Sequence, residues 1–161
     1  MIGTEHLASL AAPWVVLSTC DPRSLRAGVL RESPSLVWAA VRGDACRTKV
    51  ALFEEFARAL KFPDYFGHNW DAFDECINDL EWLDGAGYVV VVTKAERLLS
   101  DDDREYVGLI DILSNAGSEW ATPPDQRVAR PFHVVLMVSS PEDVGGRDWR
   151  LPQASFDRAS R

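Results

Sequence analysis

The 161-residue chain carries 25 Asp and Glu against 17 Lys and Arg, a formal charge of −8 and a pI near 4.8. That balance argues against a sequence-independent nucleic-acid binder, which draws its affinity from cations on phosphates. It suits solubility or attraction to a basic partner, and 47% apolar residues over this length suit one globular domain with a core of its own.

Cys20, Cys46 and Cys76 form no C-x-x-C pair and no Cys/His spacing of a zinc site. An odd count without a signal-peptide pattern reads as reduced thiols in a cytosol. No apolar span long enough for a bilayer occurs, so a cytoplasmic protein without membrane contact is expected. No cofactor is expected either.

In chain order, Ala12–Ser18 reads as a short strand, and Cys20-Asp-Pro-Arg-Ser as a turn. Leu36–Val41 is a short apolar run suited to a buried strand, ended by Arg42-Gly-Asp. Between Lys49 and Leu60, apolar Val50, Leu52, Phe53, Phe56, Ala57 and Leu60 recur at helical spacing, and Pro63 lies just beyond. Tyr88–Thr93 is the clearest strand, and its lack of alternation predicts burial on both faces. Asp101, Asp102 and Asp103 read as the acidic cap of a helix carrying Tyr106, Leu109, Ile110, Leu113 and Ala116. Calcium binding there lacks the regular ligand spacing. Phe132–Val138 is another buried strand, in which His133 reads as structural; His6 offers no site. Trp14, Trp38, Trp120 and Trp149 read as packing residues. Strands joined by helical crossovers predict an α/β fold with a small three-stranded parallel sheet packed with helices. Residues 1–35 form an extension of undetermined role, 36–138 the domain, and 139–161 an irregular tail.

The stretch Lys61–Leu80 is the most informative. A Pro- and Gly-punctuated aromatic loop leads to Asn69, a good N-cap, and Gly67 before it allows close backbone approach. At about 100° per residue, Asp74, Glu75, Asn78 and Asp79 gather around Asp71, while Phe73, Cys76, Ile77 and Leu80 fill the opposite arc. Trp70 falls at the border, half core and half contact surface. Most acidic helix faces are simply solvated, and Asp71 and Asp74 also suit the helix dipole. Against that stands the company they keep, because Tyr65, Phe66 and Trp70 crowd the same entry point.

Pro63-Asp64-Tyr65-Phe66-Gly67, then Asn69-Trp70-Asp71-Ala72-Phe73, then Cys76-Ile77 form a gapless pattern over about fifteen positions. It resembles the barstar family, the intracellular inhibitors of secreted guanyl-preferring ribonucleases, and the resemblance extends over roughly Leu36 to Val138. The resemblance implies a barstar-like fold and a partner nuclease with a basic active-site cleft. It implies partner contacts at Tyr65, Gly67, Asn69 and Asp71, with Trp70 in place of an aliphatic contact. Glu75 stands where the family has a second key helix Asp, and Asp74 where its best-known member has an aromatic. A later-helix acidic contact is implied at Asn115, with Asp111 as a substitute, and His68 is a weaker contact. Asp71 and Glu75, one helical turn apart, would accept charge-assisted hydrogen bonds from cleft cations.

Two rivals come from other classes. An immunity or regulatory protein of the same fold could act on a non-ribonuclease partner. A hydrolase could use His68 with Asp71 or Glu75, for which His68 would have to line a concave pocket. A metal bound by the same three residues is geometrically possible, but acidic helices often offer such triples, and none is expected.

Overall fold

In the computed structural model, which describes residues 2–156, four buried runs assemble into one parallel sheet. The strands are β1 (Val15–Ser18), β2 (Leu36–Arg42), β3 (Gly87–Thr93) and β4 (Phe132–Met137), in the order β1-β4-β3-β2. Helices α1 (Pro22–Glu32), α2 (Lys49–Leu60), α3 (Trp70–Asp79) and α4 (Tyr106–Ala121) supply the crossovers that parallel neighbours require.

Both faces of the sheet are covered, which is why its central strands carry no polar alternation. Val89 and Val91 of β3 enter one layer with Leu25 and Val29 of α1. Val90 and Val92 enter the opposite layer with Phe53 and Phe56 of α2, Phe73 of α3 and Leu109 of α4. Of those four strands, β4 pairs on one side with β3, Val91 opposite Val135, and on the other with β1, Val16 opposite Val135.

The sheet therefore has four strands, not the expected three. The additional strand, β1, lies in the segment read as an extension. Val15, Val16 and Leu17 are all at most 2% exposed, so the hydrophobic gain of burying them against β4 fixes the run as a strand. Helix α1 is also absent from the sequence-based order. Its start is well marked, with the Asp21 carboxylate accepting from Ser24 N at 2.9 Å and Pro22 in the first turn, but only Leu25 and Val29 are buried along it. The apolar stripe is too thin to announce a helix by periodicity.

The acidic triplet departs from expectation too. A 3-10 turn (Asp103–Glu105) precedes α4, and no side chain caps that helix at Glu105. Asp102 instead accepts from Lys49 N at 2.7 Å, closing the first turn of α2. Asp101 and Asp103 pair with Arg47 and Arg147.

Residues 139–156 hold a 3-10 turn (Pro141–Gly146) and then fold back on the sheet. Trp149 is 5% exposed and its carbonyl accepts from the Tyr106 hydroxyl at 2.8 Å. Leu17 N donates to Pro152 O and Ala154 N to Leu17 O, which covers the outer edge of β1. Residues 157–161 of the expected tail, and residue 1 of the expected extension, lie outside the described residues. His133, 1% exposed, donates Nε2–H to Ser9 O at 2.8 Å and ties the N-terminal segment to β4. Burial favours its neutral ring and brings its pKa down to about 4. Among the described residues no helix is long and apolar enough to cross a membrane.

Candidate functional site

Helix α3 is held from beneath by aromatic packing. Phe73 lies among Phe56 (5.2 Å between ring centroids), Trp70 (5.6 Å), Phe53 (5.9 Å) and Phe62 (6.0 Å). Phe73 and Ile77 are fully buried and Cys76 nearly so. The Asn69 side chain accepts from Ala72 N at 2.8 Å, capping the first turn as its sequence position predicts. At the other end Leu80 closes the helix in the left-handed conformation, φ 46°.

The entry loop divides its aromatics between core and solvent. Phe66 is 6% exposed and packs on Phe62 and Phe53, whereas Tyr65 is 73% exposed. The left-handed residue is His68, φ 54°, rather than Gly67. A Cβ at Gly67 would meet Asn69 Nδ2 at 3.3 Å and Ala72 Cβ at 3.6 Å, so the fold itself asks little for glycine there. His68 is exposed, stacks at 4.6 Å on Phe66 and lies 3.1 Å through Nδ1 from Phe66 O. Because a carbonyl only accepts, that contact puts the proton on Nδ1.

Asp71, Asp74 and Glu75 are exposed and Asp79 is half-buried. Among the described residues none of the four is in an ion pair. Asp74 is steadied by the Asn78 amide, which donates to its carbonyl and its carboxylate, both at 2.9 Å. Beside them Tyr65, Phe66, Ala72, Glu75, Cys76 and Asp79 line a depression of about 180 Å³, and His68 is not among its lining residues. The Tyr65 hydroxyl has its pKa raised, by the solvent it loses against this surface and by the negative field of Asp79 and its neighbours. Among the described residues no three His, Cys, Asp or Glu side chains come together as a metal-holding set, His68, Asp71 and Glu75 included.

Trp70 is half-buried, its ring 4.9 Å from Phe53, and its indole N–H donates to Glu105 Oε1 at 2.7 Å. Near the other end of α3 the Trp120 indole donates to Ile77 O at 3.0 Å. These two bonds set α3 and α4 side by side in the same direction. On α4, Asn115 and Asp111 are both exposed. Asp111 lines a groove with Trp14, Arg150 and Leu151 on the β1 side, where Gly117 makes room for Trp14. The structure thus brings Tyr65, Gly67, Asn69, Asp71, Asp74 and Glu75 into one surface with Trp70 at its margin, and directs Asp111 to another groove.

Two residues beside this surface escaped the sequence reading. Glu105 lies two residues beyond the acidic triplet, and only tertiary pairing reveals its bond to Trp70. Arg127, in the connection from α4 to β4, stacks 4.0 Å over Trp120 and donates to Asn78 O near the C-terminal end of α3, where a cation suits the helix dipole.

A family model described as "Barstar (barnase inhibitor)" matches residues 37–137. A comparison with curated proteins gives no match. Among solved structures, an ORC2 protein of Aeropyrum pernix, in ADPNP-ADP complexes, aligns over 81% of this chain at 10% identity and a TM-score of 0.48. This chain covers 36% of that protein's length. The family match spans more than half of the chain, including every element from β2 to β4 and the whole capped acidic helix between them, and on that ground the chain belongs to the Barstar family.

Proposed function

We propose that the chain is a proteinaceous ribonuclease inhibitor that occludes a basic active-site cleft with the surface running from Tyr65 to Glu75. The observation that carries this reading is a set of exposed carboxylates with no ion-pair partner among the described residues, mounted on a rigidly packed, capped helix of a barnase-inhibitor family. A site that binds RNA phosphates holds Arg, Lys or His, and Asp71 and Glu75 stand in for successive phosphates. Asp74 and Asp79 strengthen the field that guides encounter. Tyr65 and the outer edge of Trp70 exclude water from the contact. Gly67 keeps the loop low so that the partner's backbone can approach. Asn69 holds the helix start in place, and His68 and Asn115 serve as weaker contacts.

This role asks for no catalysis. His68 spends one ring nitrogen on the Phe66 carbonyl and sits on an exposed turn, which disfavours a hydrolase built on it. The same surface would also suit an immunity or regulatory protein facing a cationic partner that is not a ribonuclease.

The direct test is to titrate the purified chain into barnase and measure RNA cleavage. Stoichiometric loss of cleavage is expected, together with a loss of at least about 2 kcal/mol of binding for Asp71→Ala or Glu75→Ala. That figure is the general hot-spot threshold, for which a member of this family is itself a reference case. Full cleavage in the presence of excess chain, with a different protein recovered by pull-down, would favour the non-ribonuclease partner.

A further inference from the structure

We infer that Glu105 is a specificity-determining part of the partner surface, extending the acidic face of α3 across Trp70 to the start of α4. The inference rests on the binding surface proposed above and adds a residue to it. Glu105 is half-buried, and among the described residues it has no ion-pair partner. Its bond within the fold comes from a neutral donor, the Trp70 indole N–H at 2.7 Å on Oε1. An ionised carboxylate offers about four acceptor positions, so one indole leaves most of its capacity unused.

Partial desolvation without a cation is costly for a carboxylate, and an incoming guanidinium or ammonium group offsets that cost. Glu55 shows what the same side chain does when its cations come from within, taking hydrogen bonds from both Arg42 and Arg58. Among the described residues Glu105 has no such pair. The residue that holds it, Trp70, immediately precedes Asp71 at the start of α3. A partner presenting cations to Asp71 therefore meets Glu105 on the same approach, whereas Asp111 lies in the groove beside Trp14 and Arg150. The partner class this selects is a protein with two or more arginines or lysines spaced to reach both helix starts.

Hexa-arginine peptide serves as a probe that does not depend on knowing the natural partner. Its binding to the full chain is followed through the Trp70 indole N–H resonance, assigned with Trp70→Phe. The indole signal is expected to move saturably. Glu105→Gln keeps an oxygen that accepts the indole proton but removes the charge, so it should leave the free-state resonance near its wild-type position. Peptide binding should weaken by about threefold, as for a partly exposed charge pair. Glu105→Ala should shift the free-state resonance as well. Glu32→Gln, exposed at the end of α1 on the opposite face of the sheet, should bind like wild type. The inference is overturned if Glu105→Gln titrates like wild type, or if the peptide saturates without moving the Trp70 signal. Should this pattern hold while barnase is left uninhibited, the nuclease reading falls and the cation-accepting role of Glu105 stands.

Discussion

Glu55 on α2 and the carboxylates of α3 show two opposite uses of the same chemistry. The Glu55 side chain is 3% exposed and is gripped by Arg42 at 2.7 Å and Arg58 at 2.5 Å, while its Oε2 also accepts from Arg42 N at 2.8 Å. Burial alone would raise its pKa, but the hydrogen bonds from Arg58 and Arg42 outweigh that and bring it down to about 2. The group is complete within the fold: it satisfies the N–H of Arg42 at the end of edge strand β2, and Arg58 adds a bond to Ala40 O. Asp71, Asp74 and Glu75 are held just as firmly through their helix, yet among the described residues no cation pairs with them. A carboxylate that serves the fold brings its own cations; in the proposed reading the α3 carboxylates leave that place open for a partner's.

The sharpest way to break the contrast is to loosen the helix itself. Phe73→Ala should cost about 3–5 kcal/mol of stability, read by urea unfolding, because it hollows the aromatic cluster under α3. Inhibition would fall with the folded fraction, and a loss far smaller than this would mean that α3 does not depend on that cluster.

Glu55→Gln should come next, at about 2–3 kcal/mol. Two ion pairs on one buried carboxylate are lost, but both arginines remain more than half exposed and stay solvated. Inhibition by the still-folded protein should be unchanged. The pH dependence carries the sign. Because the folded pKa of about 2 lies below the ordinary 4.5, this contribution is complete above about pH 4.5 and disappears as pH falls towards 2. Unfolding free energy across that window should decline more steeply in wild type than in Glu55→Gln, and equal slopes would contradict the pairing. A second decline, common to both proteins, belongs to His133. Its folded pKa of about 4 lies below the ordinary 6.5, so its contribution is complete above about pH 6.5 and is lost as pH falls to 4.

Asn69→Ala is a smaller perturbation, about 1 kcal/mol of stability for the lost cap. It sharpens the comparison because Asn69 belongs to both categories, anchoring the fold and lying inside the proposed contact. Binding should weaken by more than the stability loss explains, as seen when affinity and unfolding are measured on the same preparation. A binding loss no larger than the folding loss would make Asn69 a cap alone.

Much of this site was legible in the sequence because its signals are local. Asn69 as cap, the apolar arc of Phe73, Cys76 and Ile77, and the opposing carboxylates depend only on helical periodicity. The unbroken apolar strands β3 and β4 announced a sheet covered on both faces for a similar reason. What escaped depends on contacts between distant segments. The run Val15–Leu17 reads as a short strand, but nothing local pairs it with β4 or adds it to the sheet. Helix α1 buries only Leu25 and Val29, and Asp102 caps a helix that begins more than fifty residues earlier. Glu105 went unremarked because nothing local links it to Trp70. The return of residues 149–156 onto β1 rests on backbone bonds to Leu17 that no composition predicts.

The central claim is that the α3 carboxylates serve a partner and not the fold, and the double variant Asp71→Asn/Glu75→Gln tests it most directly. Unfolding free energy and inhibition of barnase would be measured side by side. Stability within about 0.5 kcal/mol of wild type is expected for exposed, unpaired groups, with inhibition weakened at least about 30-fold. Unchanged inhibition by the double variant, or a stability loss as large as that of Glu55→Gln, would contradict the account.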